Sequence, residues 1–96
     1  MRQYGYIMSS FITTARQLGA AIRQTRRDAG LTQQELAVRA QVSRRWLGMV
    51  ESGKAPRAEL GLVLRVLSTL GVGLNLVQKP ELTSEEARAA QYLGIQ

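Results

Sequence analysis

Residues 30–53 read GLTQQELAVRAQVSRRWLGMVESG, and two helix-start signals inside this stretch decide the fold. Thr32, with Glu35 three residues on, forms a capping box in which each side chain satisfies a free backbone N–H of the first turn. Leu36 and Ala37 follow at the spacing of one apolar face, so a helix runs roughly from Gln33 to Ala40. Ser43 is a second good N-cap, and Leu47 and Val50 supply the inward face of a helix from about Arg44 to Ser52. Only the turn Ala40-Gln41-Val42 separates the two patterns, and Gly53 ends the second. Helix, tight turn, helix, with Arg44 and Arg45 on the first turn of the second helix, is the form of a helix-turn-helix.

The flanks extend this unit into a small domain. Thr14-Ala15-Arg16-Gln17 fits another capping box, and Leu18, Ala21, Ile22 and Thr25 recur at helical spacing until Gly30 stops the helix. After the loop Lys54-Ala55-Pro56-Arg57, a fourth helix runs from about Ala58 to Leu70. Its apolar stripe comprises Leu60, Val63, Leu64, Leu67 and Leu70, and Leu62 and Val66 widen it beyond the need of one small core. That width suggests a second packing surface and hence a dimer. Gly71-Val72-Gly73 breaks the helix, and Leu74-Asn75-Leu76-Val77-Gln78 reads as a lone strand closed by Lys79-Pro80. A lone strand leaves its N–H and C=O groups unpaired. The same strand of a second subunit, antiparallel about a two-fold axis, would satisfy them; Tyr4–Ile7 of the N-terminal arm is the alternative partner. The expected fold class is all-α, with four to five helices and a short C-terminal strand paired across a dimer. Its divisions are an arm (1–13), a helix-turn-helix and dimerisation domain (14–78) and a tail (79–96), in which Thr83-Ser84-Glu85-Glu86 starts a marginal fifth helix.

Composition narrows the functional classes. The 96 residues carry 13 Lys and Arg against 7 Asp and Glu, a net +6, with a pI near 10.8. Residues 1–57 hold ten basic and three acidic side chains, and residues 58–96 three and four, so the positive charge lies with the helix-turn-helix. A basic small domain favours polyanions, nucleic acid first. With no Cys and no His, disulfides, thiolate sites, zinc sites and most nucleophile–base pairs are excluded. The acids Asp28, Glu35, Glu51 and Glu59 are spread out, so an enzyme is not expected and no cofactor or metal is implied. No apolar run approaches the ~20 residues of a membrane span, and the N-terminus has no signal-peptide pattern; the expected location is the cytoplasm, at the nucleoid.

Reading sequence in a major groove needs side chains on the exposed first turns of a recognition helix. Arg44 and Arg45 occupy those positions, where arginine either pairs with guanine O6 and N7 or holds phosphates. Met49 lies one turn on, in reach of a thymine methyl, and Gly48 lets the helix approach closely. Trp46 reads as a partly buried packing residue against the preceding helix, with a contact to DNA or to a partner protein as the alternative.

At Arg26, Gly30-Leu31-Thr32-Gln33, Glu35-Leu36-Ala37, Val42-Ser43, Leu47, Val50-Glu51 and Gly53 the chain resembles the Xre/Cro family of phage-repressor-like regulators, over about residues 16–72. The resemblance implies a repressor of a palindromic operator, with base contacts at Arg44, Arg45, Gly48 and Met49. It further implies phosphate contacts at Thr32, Gln33, Ser43, Ser52, Lys54 and Arg57, and a buried ion pair between Arg26 and Glu51. Where that family usually has a fifth helix, this chain has Leu-Gly-Val-Gly-Leu-Asn-Leu-Val (residues 70–77). Together with Gln17-Leu18-Gly19-Ala20-Ala21-Ile22-Arg23, this ending is similar to the HipB-like antitoxins. That branch implies strand pairing through Leu74, Asn75, Leu76 and Val77, autoregulation, and a HipA-like kinase toxin as partner. The alternatives are a stand-alone regulator, or a helix-turn-helix used only for protein binding.

Overall fold

A computed structural model describes residues 11–78, and within them the fold is all-α. Four helices follow one another: α1 (Ala15–Asp28), α2 (Gln33–Ala40), α3 (Arg44–Glu51) and α4 (Leu60–Thr69). The starts lie where the capping residues place them. Thr14 Oγ1 accepts from Gln17 N, and Thr32 Oγ1 from Glu35 N, each completing a reciprocal capping box; Ser43 Oγ accepts from Trp46 N. The stops share one device, a backbone N–H reaching back five residues. It runs from Leu31 to Arg26, Val42 to Ala37, Lys54 to Met49 and Val72 to Leu67. This closure puts one residue in the left-handed region. Three of the helices use glycine there, and α2 uses Gln41, at φ 60°.

The core is small and fully apolar at its centre: Ile22 of α1, Leu36, Ala37 and Ala40 of α2, Leu47 and Val50 of α3, and Val63, Val66 and Leu67 of α4. Helix α3 packs on α1 and α2, and α2 on α4. The contact of α1 with α3 is close enough that a Cβ at Gly19 would overlap the Val50 carbonyl oxygen, so only glycine fits there. Trp46 is half-buried against this core.

Two expectations need revision. The wide apolar stripe of α4 is two rows. Val63, Val66 and Leu67 face the core, with Leu70 half-buried beside them, whereas Leu60 and Leu64 are 62% and 42% exposed. At 100° per residue, α2 can cover only part of so wide a stripe. The second difference concerns residues 74–77: no strand forms among the described residues. None of the backbone–backbone hydrogen bonds there involves residues 73–78. A strand exists only by pairing, and the described part of one chain offers it no partner. The Tyr4–Ile7 arm and the fifth helix of the tail lie outside the described residues.

Candidate nucleic-acid interface

Helix α3 owes its exposed polar face to its own amphipathicity. Leu47, Val50 and Glu51 are buried, so the opposite face, with Arg44, Arg45 and Met49, is turned to solvent. Met49 is 39% exposed, and Gly48 between the two faces is half-buried. A Cβ at Gly48 would meet only ordinary contacts, 3.6 Å from Gln33 Oε1 and 3.9 Å from Arg44 Nη1.

Beneath this face lies a buried ion pair joining α1 to α3. Arg26 Nε donates to Glu51 Oε2 at 2.7 Å and its Nη2 to Glu51 Oε1 at 3.0 Å, a two-pronged contact. Arg26 Nη1 donates to the Leu31 carbonyl at 2.7 Å, tying the α1–α2 loop to the same guanidinium. Arg26 and Glu51 are 7% and 5% exposed. Such a pair survives burial because each polar atom finds a partner.

Around α3 the other polar residues form a rim. Thr32 and Ser43 sit at the N-termini of α2 and α3, where backbone N–H groups and the helix dipole favour an anion. Gln33 is the first residue of α2. Ser52 and Lys54 follow α3 directly and are exposed, as is Arg57. Gly53, at φ 75°, turns the chain here while its Cα packs on the start of α1, 3.0 Å from an ideal Cβ to Arg16 Cα. Arg23, Arg27 and Arg39 are all exposed.

Two features of this region were not read in the sequence. Gln33, expected only as a phosphate contact, donates from Nε2 to Glu51 Oε1 at 3.0 Å and accepts from Arg44 Nη1 at 2.7 Å. Arg65 of α4 reaches across to the turn between α2 and α3, donating to the Ala40 carbonyl at 2.8 Å and to that of Gln41 at 2.9 Å. A lone arginine within the apolar run Leu60–Leu67 was the available signal for the second. The first had none, because residues 33, 44 and 51 share no local spacing.

The fold and this face define a helix-turn-helix domain. Residues 17–79 match the family model described as "Helix-turn-helix domain", and the chain belongs to the helix-turn-helix transcriptional regulator family. It is 39% identical over 74 residues to the uncharacterized HTH-type transcriptional regulator y4mF of Sinorhizobium fredii, covering 77% of this chain and 96% of that protein. The crystal structure of the clp gene regulator ClgR from C. glutamicum superposes with a TM-score of 0.60 at 31% identity. That match covers 70% of this chain and 85% of the other. Both relatives are named as regulators. The matches reach the regulator class and stop short of the HipB-like branch. Among the described residues no helix is long and apolar enough to cross a membrane.

Proposed function

We propose that this protein is a dimeric, sequence-specific DNA-binding repressor that reads a palindromic operator through the major groove and works at the nucleoid. One observation carries the reading: α3 buries Leu47, Val50 and Glu51 and offers Arg44, Arg45 and Met49 to solvent, on a front half with ten basic and three acidic side chains. Arg44, Arg45 and Met49 contact bases, with Gly48 allowing the approach. Thr32, Gln33, Ser43, Ser52, Lys54 and Arg57 hold phosphates, which fix register without carrying sequence.

The dimer forms through Leu74–Val77. Leu76 is 95% exposed, Leu74 and Val77 are more than half exposed, and they line an open groove with Phe11, Ile12 and Leu18. An antiparallel copy of the segment would satisfy its unpaired backbone and cover these side chains. Two recognition helices would then stand about one turn of B-DNA apart, roughly 34 Å.

Both named relatives are regulators, which suits the stand-alone regulator and the HipB-like antitoxin alike, since such an antitoxin represses its own operon. A kinase-type toxin of the HipA kind encoded next to this chain decides for the antitoxin, and its absence for the stand-alone regulator. The central test is binding of the full chain to duplexes selected from a random pool. Expected are a two-fold symmetric consensus, a linear fall of log K with log salt, and a species of twice the 10.6 kDa chain mass in solution. Binding without sequence preference, or a strict monomer at micromolar concentration, contradicts the respective half of the proposal.

A further inference from the structure

We infer that Arg65 is a positioning residue: from α4 it fixes the turn before α3, and so sets the half-site spacing that the dimer accepts. The inference rests on the proposed reading of α3 as the recognition helix and of Leu74–Val77 as the dimer segment, and adds the part that ties the two together.

A dimer reads a fixed spacing only if each recognition helix is held rigidly relative to the dimer segment. In this fold those two elements belong to different packing layers. The segment follows α4, whose exit is fixed by the Val72 N–H bond to the Leu67 carbonyl at 3.0 Å and by Gly71 at φ 78°. Helix α4 packs on α2, whereas α3 packs on α1 and α2. The placement of α3 relative to the segment therefore passes chiefly through α2 and the turn that joins α2 to α3.

Arg65 holds that turn. Its Nε donates to the Ala40 carbonyl at 2.8 Å and its Nη2 to the Gln41 carbonyl at 2.9 Å. Two successive carbonyls on one planar guanidinium fix an angle as well as a distance. Both lie at the end of α2, where the last C=O groups have no partner within the helix and favour a cation. Gln41 is the residue that most needs holding. It lies in the left-handed region at φ 60°, a conformation that the other three helix ends give to glycine. Two residues on, Ser43 caps α3, so the direction in which α3 leaves the turn follows from how Gln41 is held.

The test uses the full chain on duplexes carrying two copies of its selected half-site, at the selected spacing and with one or two base pairs inserted or removed. Each base pair moves one half-site by about 3.4 Å and about a tenth of a turn. Arg65→Met keeps the length of the side chain and removes every donor, while Arg65→Lys keeps the charge and loses the fork. Wild type should bind the altered spacings much more weakly than the selected one. Both variants should relax that discrimination by about fivefold, the value of one hydrogen bond, while keeping the base preference within each half-site and the dimer mass. Loss of folded protein weakens every spacing alike, so the ratio between spacings reports placement rather than stability. The inference is overturned if wild type is indifferent to spacing, if either variant keeps the wild-type ratio, or if either turns monomeric, which makes Arg65 an interface residue instead. A wild type without any consensus, or without a dimer, overturns the underlying reading.

Discussion

Glu51→Ala should be the most damaging single change in this domain that leaves its apolar core untouched. Three hydrogen bonds end on this carboxylate, from Arg26 Nε, Arg26 Nη2 and Gln33 Nε2, at 2.7, 3.0 and 3.0 Å. Removing it leaves Arg26 as a cation that is only 7% exposed, facing an emptied site. Breaking one side of a buried pair costs about 3–5 kcal/mol, because the remaining charge stays desolvated without its partner. A domain of this size has a total stability on the order of 5–15 kcal/mol. For 60–100 residues each kcal/mol lowers Tm by roughly 4–8 °C, so the variant should melt about 12–40 °C below wild type.

The assay is a far-UV circular dichroism melt with urea titrations at neutral pH, and Arg23→Ala on the exposed face of α1 serves as the surface control. An apolar pair, Arg26→Met with Glu51→Leu, should recover most of the stability lost in Glu51→Ala, because no charge then remains buried. A Glu51→Ala melt indistinguishable from wild type, or a double variant weaker than the single one, would refute the reasoning.

Three further outcomes follow from local geometry. Gly19→Ala should destabilise by ~1–3 kcal/mol although alanine is the better helix former, because its Cβ would overlap the Val50 carbonyl oxygen, while Gly48→Ala should stabilise by ~0.5–1 kcal/mol; thermal melts of both variants read the opposite signs. Gln41→Gly should raise stability by about 1 kcal/mol by relieving the left-handed backbone at φ 60°, and Arg65→Ala should lower it by about 1–2 kcal/mol by freeing two carbonyls, both measured by urea unfolding. The Thr32 backbone N–H and hydroxyl, more than the nearby Arg39, hold the Glu35 carboxyl below its ordinary 4.5, so stability from this cap is present above that value and fades as pH falls through the lower folded one. Glu35→Gln should therefore lose less stability than wild type on acidification below about pH 4.5, as urea midpoints at successive pH values would show.

The helices were legible in this chain because the signals that start and stop them are local. Thr14, Thr32 and Ser43 each act on an N–H within three residues, and the apolar spacing of α2 and α3 repeats within one or two turns. Residues 74–77 form no strand within the described part of one chain because strand pairing is not local: four apolar-rich residues state a tendency, and only a partner makes a strand. Leu60 and Leu64 show the same limit on α4, since periodicity marks the apolar face and not how much of it a neighbour covers. The candidate site divides along the same line. Arg44 and Arg45 could be placed on the first turn of α3 from Ser43 alone. That Arg44 is held depends on Gln33, eleven residues back on another helix, and on Glu51, at the far end of α3. Helix ends are therefore set by neighbours in sequence, but the orientation of the exposed Arg44 guanidinium is set by the buried junction of three helices. A change at Arg26 or Glu51 should accordingly alter how α3 meets DNA without touching it.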